Sequence, residues 1–481
     1  MAVRSGGLRM RLALFGILLL SLAACGPKPL AVPAEQGRLV VVTRDGPTTH
    51  QLDAAGHASG FEHDLITLFA EEIGTPVQFL SAADPNDIAA ALKQGQAHFG
   101  AGGLAPLPDE ALRYTRPLRE LDQVLVQHED AAPVDEVADL SGKTVEALAG
   151  SAELEALYAL TPKPAGLRIV AVEGMNEIQL LERVAQRQTD LAATDSAHFD
   201  IATNFFPALQ EAFTLPGKRP IVWAFPKDSD PTLLPRADAF LERVRNDGTM
   251  ARLIDRYFGH VRRLNQIDVT HFLEKMQSVL PRYRRDFVTV QDELGIDWRL
   301  LAALAYQESH WNPLATSPTN VRGMMMLTED TADRLRVSDR LDARLSILGG
   351  SRYFVDLREQ LPREVKEPDR TWLALAAYNL GMGHMNGARA IAKMVKRDPN
   401  SWYEMKQVLP LLSRPQYYSH LKSGAARGGE AVIMVENIRT YYDILVRYEK
   451  AFVTSSGEPS LSAPAPSSPS QGLSLDFLLP M

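Results

Sequence analysis

The residues with the clearest capacity for chemistry lie in one stretch, Ala302-Ala303-Leu304-Ala305-Tyr306-Gln307-Glu308-Ser309-His310-Trp311-Asn312-Pro313. The run predicts a helix that Asp297 caps by accepting a backbone N–H and that Pro313 cannot continue. Leu301, Leu304 and Glu308 are spaced i, i+3, i+7 and share one apolar face. A carboxyl on such a face resists ionisation, so its pKa rises and it can act as a general acid near neutral pH. On spacing alone an ordinary ion pair at the rim is the commoner arrangement, so the case for Glu308 rests on its surroundings.

Those surroundings read as helical. Between residues 268 and 293 Phe272, Met276, Val279, Leu280, Tyr283, Phe287 and Val290 repeat at helical spacing, which predicts long helices. No convincing strand follows before about residue 450, so residues 261–452 are expected to form an all-α domain. Three further clusters lie in it: Arg322-Gly323-Met324-Met325-Met326-Leu327-Thr328, Leu375-Ala376-Ala377-Tyr378-Asn379-Leu380-Gly381, and Val435-Glu436-Asn437-Ile438-Arg439-Thr440-Tyr441. Glu329 and Asp330 look like a dipole-stabilised pair at a helix start.

Taken in order with Glu308-Ser309, these clusters resemble the goose-lysozyme-like domain of family 1 lytic murein transglycosylases over about residues 290–450. The resemblance implies a lysozyme-like fold that cleaves the bond between N-acetylmuramic acid and N-acetylglucosamine in peptidoglycan glycan strands. Glu308 would protonate the leaving oxygen. An ordinary hydrolase needs a second carboxylate, and no motif fixes one here. A single carboxyl fits substrate-assisted chemistry, in which the 2-acetamido oxygen stabilises the sugar cation and the C6 hydroxyl closes a 1,6-anhydro ring. The enzyme would then be a lyase.

The same resemblance implies that Ser317 bonds near the acetamido group. Gly323 and Met324 would line the cleft wall, the glycine letting backbone approach sugar. Tyr378 and Asn379 would contact sugar and hold Glu308, and Tyr441 would sit close to Glu308 and the forming ring. Met326 stands where the family has Gln, so a polar sugar contact gives way to a soft apolar one. A membrane-bound subgroup of the family carries the same methionine run. His310 and Trp311 have no partner His or Cys at ligand spacing, so no metal and no cofactor is expected. Trp311 is expected either as a lid over sugar or in the core.

The N-terminal half reads differently. Strand patterns at Gly37–Arg44, Val77–Leu80 and Ala97–Gly103 alternate with helix patterns at Gly60–Gly74 and Asp87–Gln94, which predicts α/β units and a largely parallel sheet. Asp139-Leu140-Ser141-Gly142-Lys143-Thr144-Val145, Thr189-Asp190-Leu191-Ala192-Ala193-Thr194-Asp195 and Asn246-Asp247-Gly248-Thr249 continue an order that resembles the family 3 periplasmic solute-binding proteins over residues 38–260. The resemblance implies two lobes around a cleft, with the chain crossing near Gln123–His128 and Pro220–Pro226. Amino-acid-binding members clamp the ligand carboxylate with an Arg after the glycine-rich strand. Here that place reads Gly103-Leu104-Ala105-Pro106-Leu107-Pro108, with Arg113 and Arg116 out of register. The module is therefore expected either to take another ligand, such as a muropeptide, or to serve as a scaffold.

The chain has 481 residues, enough for two or three domains, with 45% hydrophobic and 23% charged residues. A net charge of −8 and a pI near 5.8 exclude a general nucleic-acid-binding field. A single cysteine excludes an intrachain disulfide. Arg4, Arg9 and Arg11 precede an apolar run, Leu12 to Leu22, too short to span a bilayer comfortably. Leu22-Ala23-Ala24-Cys25-Gly26 resembles a bacterial lipobox, which implies a signal peptide over 1–24, lipidation of Cys25 and a tether over 25–37. Gly26 after the cysteine points to the inner leaflet of the outer membrane, facing the periplasm. Residues 453–481, rich in Ser and Pro, are expected to be a disordered tail. The expected protein is thus multidomain: a two-lobed α/β module that localises or regulates an all-α lytic transglycosylase domain. A hydrolytic muramidase and a peptidoglycan-binding receptor with an inactive helical domain are the alternatives.

Overall fold

The β-branched run Leu39–Arg44 forms strand β1, buried along its whole length, as a strand covered on both faces is. The computed structural model describes residues 30–52, 56 and 58–452 of the chain. A short hairpin follows, β2 (Gln51–Leu52) with β3 (Ala58–Ser59). Then come β4 (Val77–Ala82), β5 (Phe99–Leu104), β6 (Leu112–Tyr114), β7 (Arg119–His128), β8 (Thr144–Leu148), β9 (Arg168–Val172), β10 (Leu191–Asp195) and β11 (Leu209–Pro226). The main sheet runs β4-β1-β5-β11-β7-β10-β8-β9, with β6 on β11.

Two lobes result. β1, β4 and β5 are parallel in the first, and β8, β9 and β10 are parallel in the second. β7 and β11 cross between the lobes as an antiparallel pair, and their pairings with β5, β6 and β10 are antiparallel too. The sheet is therefore more mixed than the expected largely parallel one. A chain that enters the second lobe on one strand returns on its neighbour, and the return must run the other way. Both expected crossing points lie within these two strands.

Past residue 260, β-strands give way to helices among the described residues, as the sequence pattern predicts. The stretch 268–293 is two helices, Gln266–Ser278 and Arg284–Leu294, separated by a tight turn at Leu280–Arg282. Pro281 lacks the N–H that one continuous helix would need there. Phe272, Met276, Phe287 and Val290 nonetheless all reach the core. That core does not stop at residue 260: one apolar cluster joins Val126, Phe205 and Phe206 of the second lobe to Phe272, Leu301 and Ile438 of the helical part.

The long C-terminal helix, Gly428–Tyr448, ties the halves together. Arg439 donates to the Arg256 carbonyl at 2.6 Å, at the end of the helix Thr249–Phe258. Thr440 donates to the His260 carbonyl at 3.1 Å. Arg447 stacks on Phe205 and Phe206 at 5.0 and 4.9 Å from the ring centres. Among the described residues no helix is long and apolar enough to cross a membrane.

Candidate active site

The helix Trp298–Ser309 starts as the sequence predicts. The Asp297 carboxylate accepts the Arg299 N–H at 2.9 Å. The same carboxylate accepts from the Arg299 guanidinium and from the Tyr442 hydroxyl at 3.0 Å, which pins the helix start to the C-terminal helix. Leu301 and Leu304 are fully buried. The helix then stops abruptly: His310 and Trp311 both take left-handed backbone, φ 52° and 58°, at roughly 1–2 kcal/mol each. Trp311 is repaid in the core, where its indole N–H donates to the Ala302 carbonyl at 2.8 Å. It is a core residue and not a lid.

Glu308 sits in the last turn. Its residue is half-buried at the surface, and desolvation pushes its carboxyl up to about 8. No hydrogen bond to that carboxyl occurs among the described residues, and no second carboxylate contributes to the shift. The raised pKa agrees with the expectation from the apolar face. The next residue, Ser309, donates to the Met324 carbonyl at 2.8 Å and to the Ala305 carbonyl at 3.2 Å, fastening the methionine loop to the helix end.

The methionine loop differs from its expected role. Gly323 has φ +87°, and a Cβ there would lie 1.8 Å from the Arg340 carbonyl oxygen. The glycine makes room for Arg340 and not for an approaching sugar. Met324 and Met325 are fully buried, so neither side chain forms a cleft wall. Only Met326 of the three is half-buried. The Met325 N–H donates to Ser346 Oγ at 3.1 Å, and its carbonyl accepts the Tyr378 hydroxyl at 2.7 Å. The Tyr378 hydroxyl thus holds the methionine loop, and among the described residues no hydrogen bond joins it to Glu308. The Glu308 charge still reaches it, adding to the burial that pushes the phenol well above its ordinary range.

The remaining predicted residues scatter. Asn379 is exposed. Ser317 spends its hydroxyl on its own turn, accepting the Val321 N–H at 3.1 Å. Tyr441 packs edge-on to Tyr306 at 4.8 Å and against Phe272 at 4.6 Å. Positions two apart on a helix lie about 200° round it, so Tyr441 is seated on another face from Glu308. Burial, aided by Asp268, pushes Tyr441 up to about 12; Glu308 has no part in that shift. Sequence reasoning missed Ser346 and Gly350. A Cβ at Gly350 would lie 2.4 Å from the Met325 Cβ, so this small face of the helix Ala343–Gln360 seats the loop. The adjacent pair Gly349-Gly350 inside a helical pattern was the available signal. Cys25 and its flanks lie outside the described residues. Arg44 and Arg219 both reach the interlobe cleft, but each donates there to a carboxylate of the second lobe, Glu177 and Asp195.

The chain thus joins a desolvated carboxyl at the end of a core helix to a two-lobed α/β module. Residues 288–400 match the Transglycosylase SLT domain family. Residues 39–260 match the Bacterial extracellular solute-binding proteins, family 3. A membrane-bound lytic murein transglycosylase F of Methylobacillus flagellatus is 42% identical over 447 residues, spanning 92% of this chain and 95% of the relative. One from Thiobacillus denitrificans is 44% identical over 439 residues, spanning 91% and 93%. Among solved structures, an ancestral arginine-binding protein bound to arginine matches 46% of this chain and 98% of its own at 22% identity, with a TM-score of 0.42. The chain belongs to the membrane-bound lytic murein transglycosylase F family.

Proposed function

We propose that the protein cleaves the β-1,4 bond between N-acetylmuramic acid and N-acetylglucosamine in peptidoglycan and closes a 1,6-anhydro ring without consuming water. The observation that supports this reading is the solitude of Glu308: among the described residues no group hydrogen-bonds its carboxyl, and no second carboxylate adds to the burial that raises its pKa. Two-carboxylate glycosidases place their pair within about 5–10 Å, where each charge would weigh on the other. Glu308 gives its proton to the leaving oxygen as the C1–O bond breaks, and the 2-acetamido oxygen bonds C1. The Glu308 carboxylate then takes the C6 hydroxyl proton while O6 displaces the acetamido oxygen. The acid is regenerated and water takes no part.

Met326, Asn379 and Ser317 are the motif residues with surface left to meet sugar. Tyr378 acts through Met325 to position the loop beside Glu308, and Tyr441 supports the helix from its far face. The test is mass spectrometry of digested sacculi. Products ending in 1,6-anhydromuramic acid are expected; reducing ends would make the enzyme a hydrolytic muramidase.

The protein is further read as a lipoprotein, acylated at Cys25 and held on the inner leaflet of the outer membrane. Palmitate label that persists in Cys25→Ser would end that reading. The α/β module localises or regulates the helical domain, with a muropeptide as its ligand. Calorimetry with muropeptides, together with the activity of a chain lacking residues 38–259, tests this: no heat and unchanged activity would remove it.

A further inference from the structure

Between the two lobes lies a knot of buried charge that the transglycosylase reading does not use. Arg44 and Glu62 come from the first lobe, and Glu153, Glu177, Asp195 and His198 from the second; each is more than nine-tenths buried. Arg219, equally buried, enters from β11 opposite Leu121 of β7, where the chain passes between lobes. Its guanidinium is shared out among both lobes. One terminal nitrogen donates to Asp195 and the other to the Gly103 carbonyl, while Nε lies 3.3 Å from Glu153 Oε1. Arg44 reaches the other way, donating to Glu177 and, from Nε, to the Gly102 carbonyl at 3.1 Å.

The groups that meet in this knot are not scattered over the surface. Asp195 ends β10, Gly103 lies at the end of β5 and Arg44 ends β1, and the carboxyl ends of strands are where open α/β sheets receive ligands. Each partner is itself held. The Asp195 carboxylate lies 2.7 Å from His198 Nδ1, whose Nε2 lies 3.0 Å from Thr48 Oγ1 across the cleft. Glu62 accepts the Gly102 and Gly103 N–H groups at 2.7 and 2.8 Å, fixing the carbonyls beside them. The lobes also touch directly: a Cβ at Gly150 of the second would lie 2.6 Å from the Asn86 side chain of the first.

We propose that Arg219 is a tethered occupant of the interlobe cleft. Its guanidinium fills, from within the chain, a site arranged to receive a free guanidinium-type cation, and so closes the lobes on the chain's own side chain. A ligand from outside must displace this occupant, so the module does not respond to a simple cationic amino acid. The inference stands apart from the chemistry of Glu308 and survives if that reading fails.

Arg219→Ala excises a fragment equivalent to ethylguanidinium and leaves Asp195, Glu153 and the Gly103 carbonyl facing the gap. In the full chain, melting of Arg219→Ala should fall below wild type and recover saturably with millimolar ethylguanidinium. Ethylammonium should restore less, because it lacks the planar fork, and sodium chloride should restore nothing. Wild type should show neither a melting shift nor calorimetric heat with ethylguanidinium or free arginine. If Arg219→Ala does not fold, the same titration is run in Glu153→Gln/Arg219→Ala, which carries one buried charge fewer. Absence of saturable recovery in the folded variant, or binding of arginine by wild type, overturns the proposal.

Discussion

Two buried carboxylate sites in one chain sit at opposite ends of the pKa scale. In the helical domain the Glu308 carboxyl has no hydrogen-bond partner among the described residues, and desolvation pushes it up to about 8. In the interlobe cleft Glu177 is buried more completely than Glu308, yet the Arg44 guanidinium and His198 overcome its desolvation and hold it at about 2. Glu436, between Arg439 and Lys406 on the C-terminal helix, is also held at about 2. Burial is common to all three, and the partner decides the outcome. An unpaired buried carboxyl lowers stability and is a proton donor at neutral pH. A paired one joins elements and has no proton to give.

The largest expected effect follows from that division. Glu308→Gln keeps the shape and removes the proton, so sacculus digestion should fall by at least about 10²-fold. Full activity in this variant would move the chemistry elsewhere. Glu177→Gln should leave the helical site intact and strike the fold. It leaves Arg44 buried against a neutral amide, and breaking a buried pair costs about 3–5 kcal/mol. Denaturant unfolding measures this. A loss below about 1 kcal/mol would mean that the pair does not hold the lobes.

A smaller effect separates the two sites by sign. Glu308 is raised from the ordinary carboxylate value to about 8. Its neutral form is favoured in the fold, so its contribution is fully present in acid and is lost as pH rises towards 8. Glu308→Gln should therefore be more stable than wild type near pH 7, by about 3 kcal/mol, and equal to it near pH 4. Glu177 is lowered to about 2, so its stabilisation is present above the ordinary carboxylate range and fades as pH falls towards 2. Activity should decline above about pH 8 as Glu308 loses its proton. A stability difference at Glu308 that grows in acid would reverse the assignment.

Much of this is legible in the sequence. The cap at Asp297, the apolar face of Leu301 and Leu304 and the resulting shift at Glu308 depend on local spacing, which periodicity reports. The lobes and the helical half depended on order along the chain, and the match over residues 39–260 agrees with that reading. What failed depended on direction. Met324 and Gly323 belong to a motif in the sequence, but their orientation is set by Arg340, Ser346 and Gly350 from later elements. The register position after β5 carries no Arg, and a buried cation of the cleft is supplied from farther along the chain. Arg219 instead comes from a strand more than a hundred residues on, and only the crossing of β11 between the lobes brings it to Gly103.

The smallest expected effect concerns Met326, where the comparison of paired and unpaired groups reaches the substrate. Of the three methionines it alone keeps surface, and its φ of +47° turns it out of the loop that buries Met324 and Met325. Replacing it with Gln puts a donor and an acceptor on the loop that Ser309 fastens to the helix end, without adding charge. Because the site already desolvates the Glu308 carboxyl, a neutral amide should leave its pKa and the pH profile in place while adding one hydrogen bond to sugar. Such a bond is worth about 1 kcal/mol, so Met326→Gln should lower KM about fivefold with kcat little changed. A drop in kcat together with a pH profile shifted to lower pH would instead mean that the amide reaches Glu308 itself. Met326 would then stand where it does to keep that carboxyl without a partner.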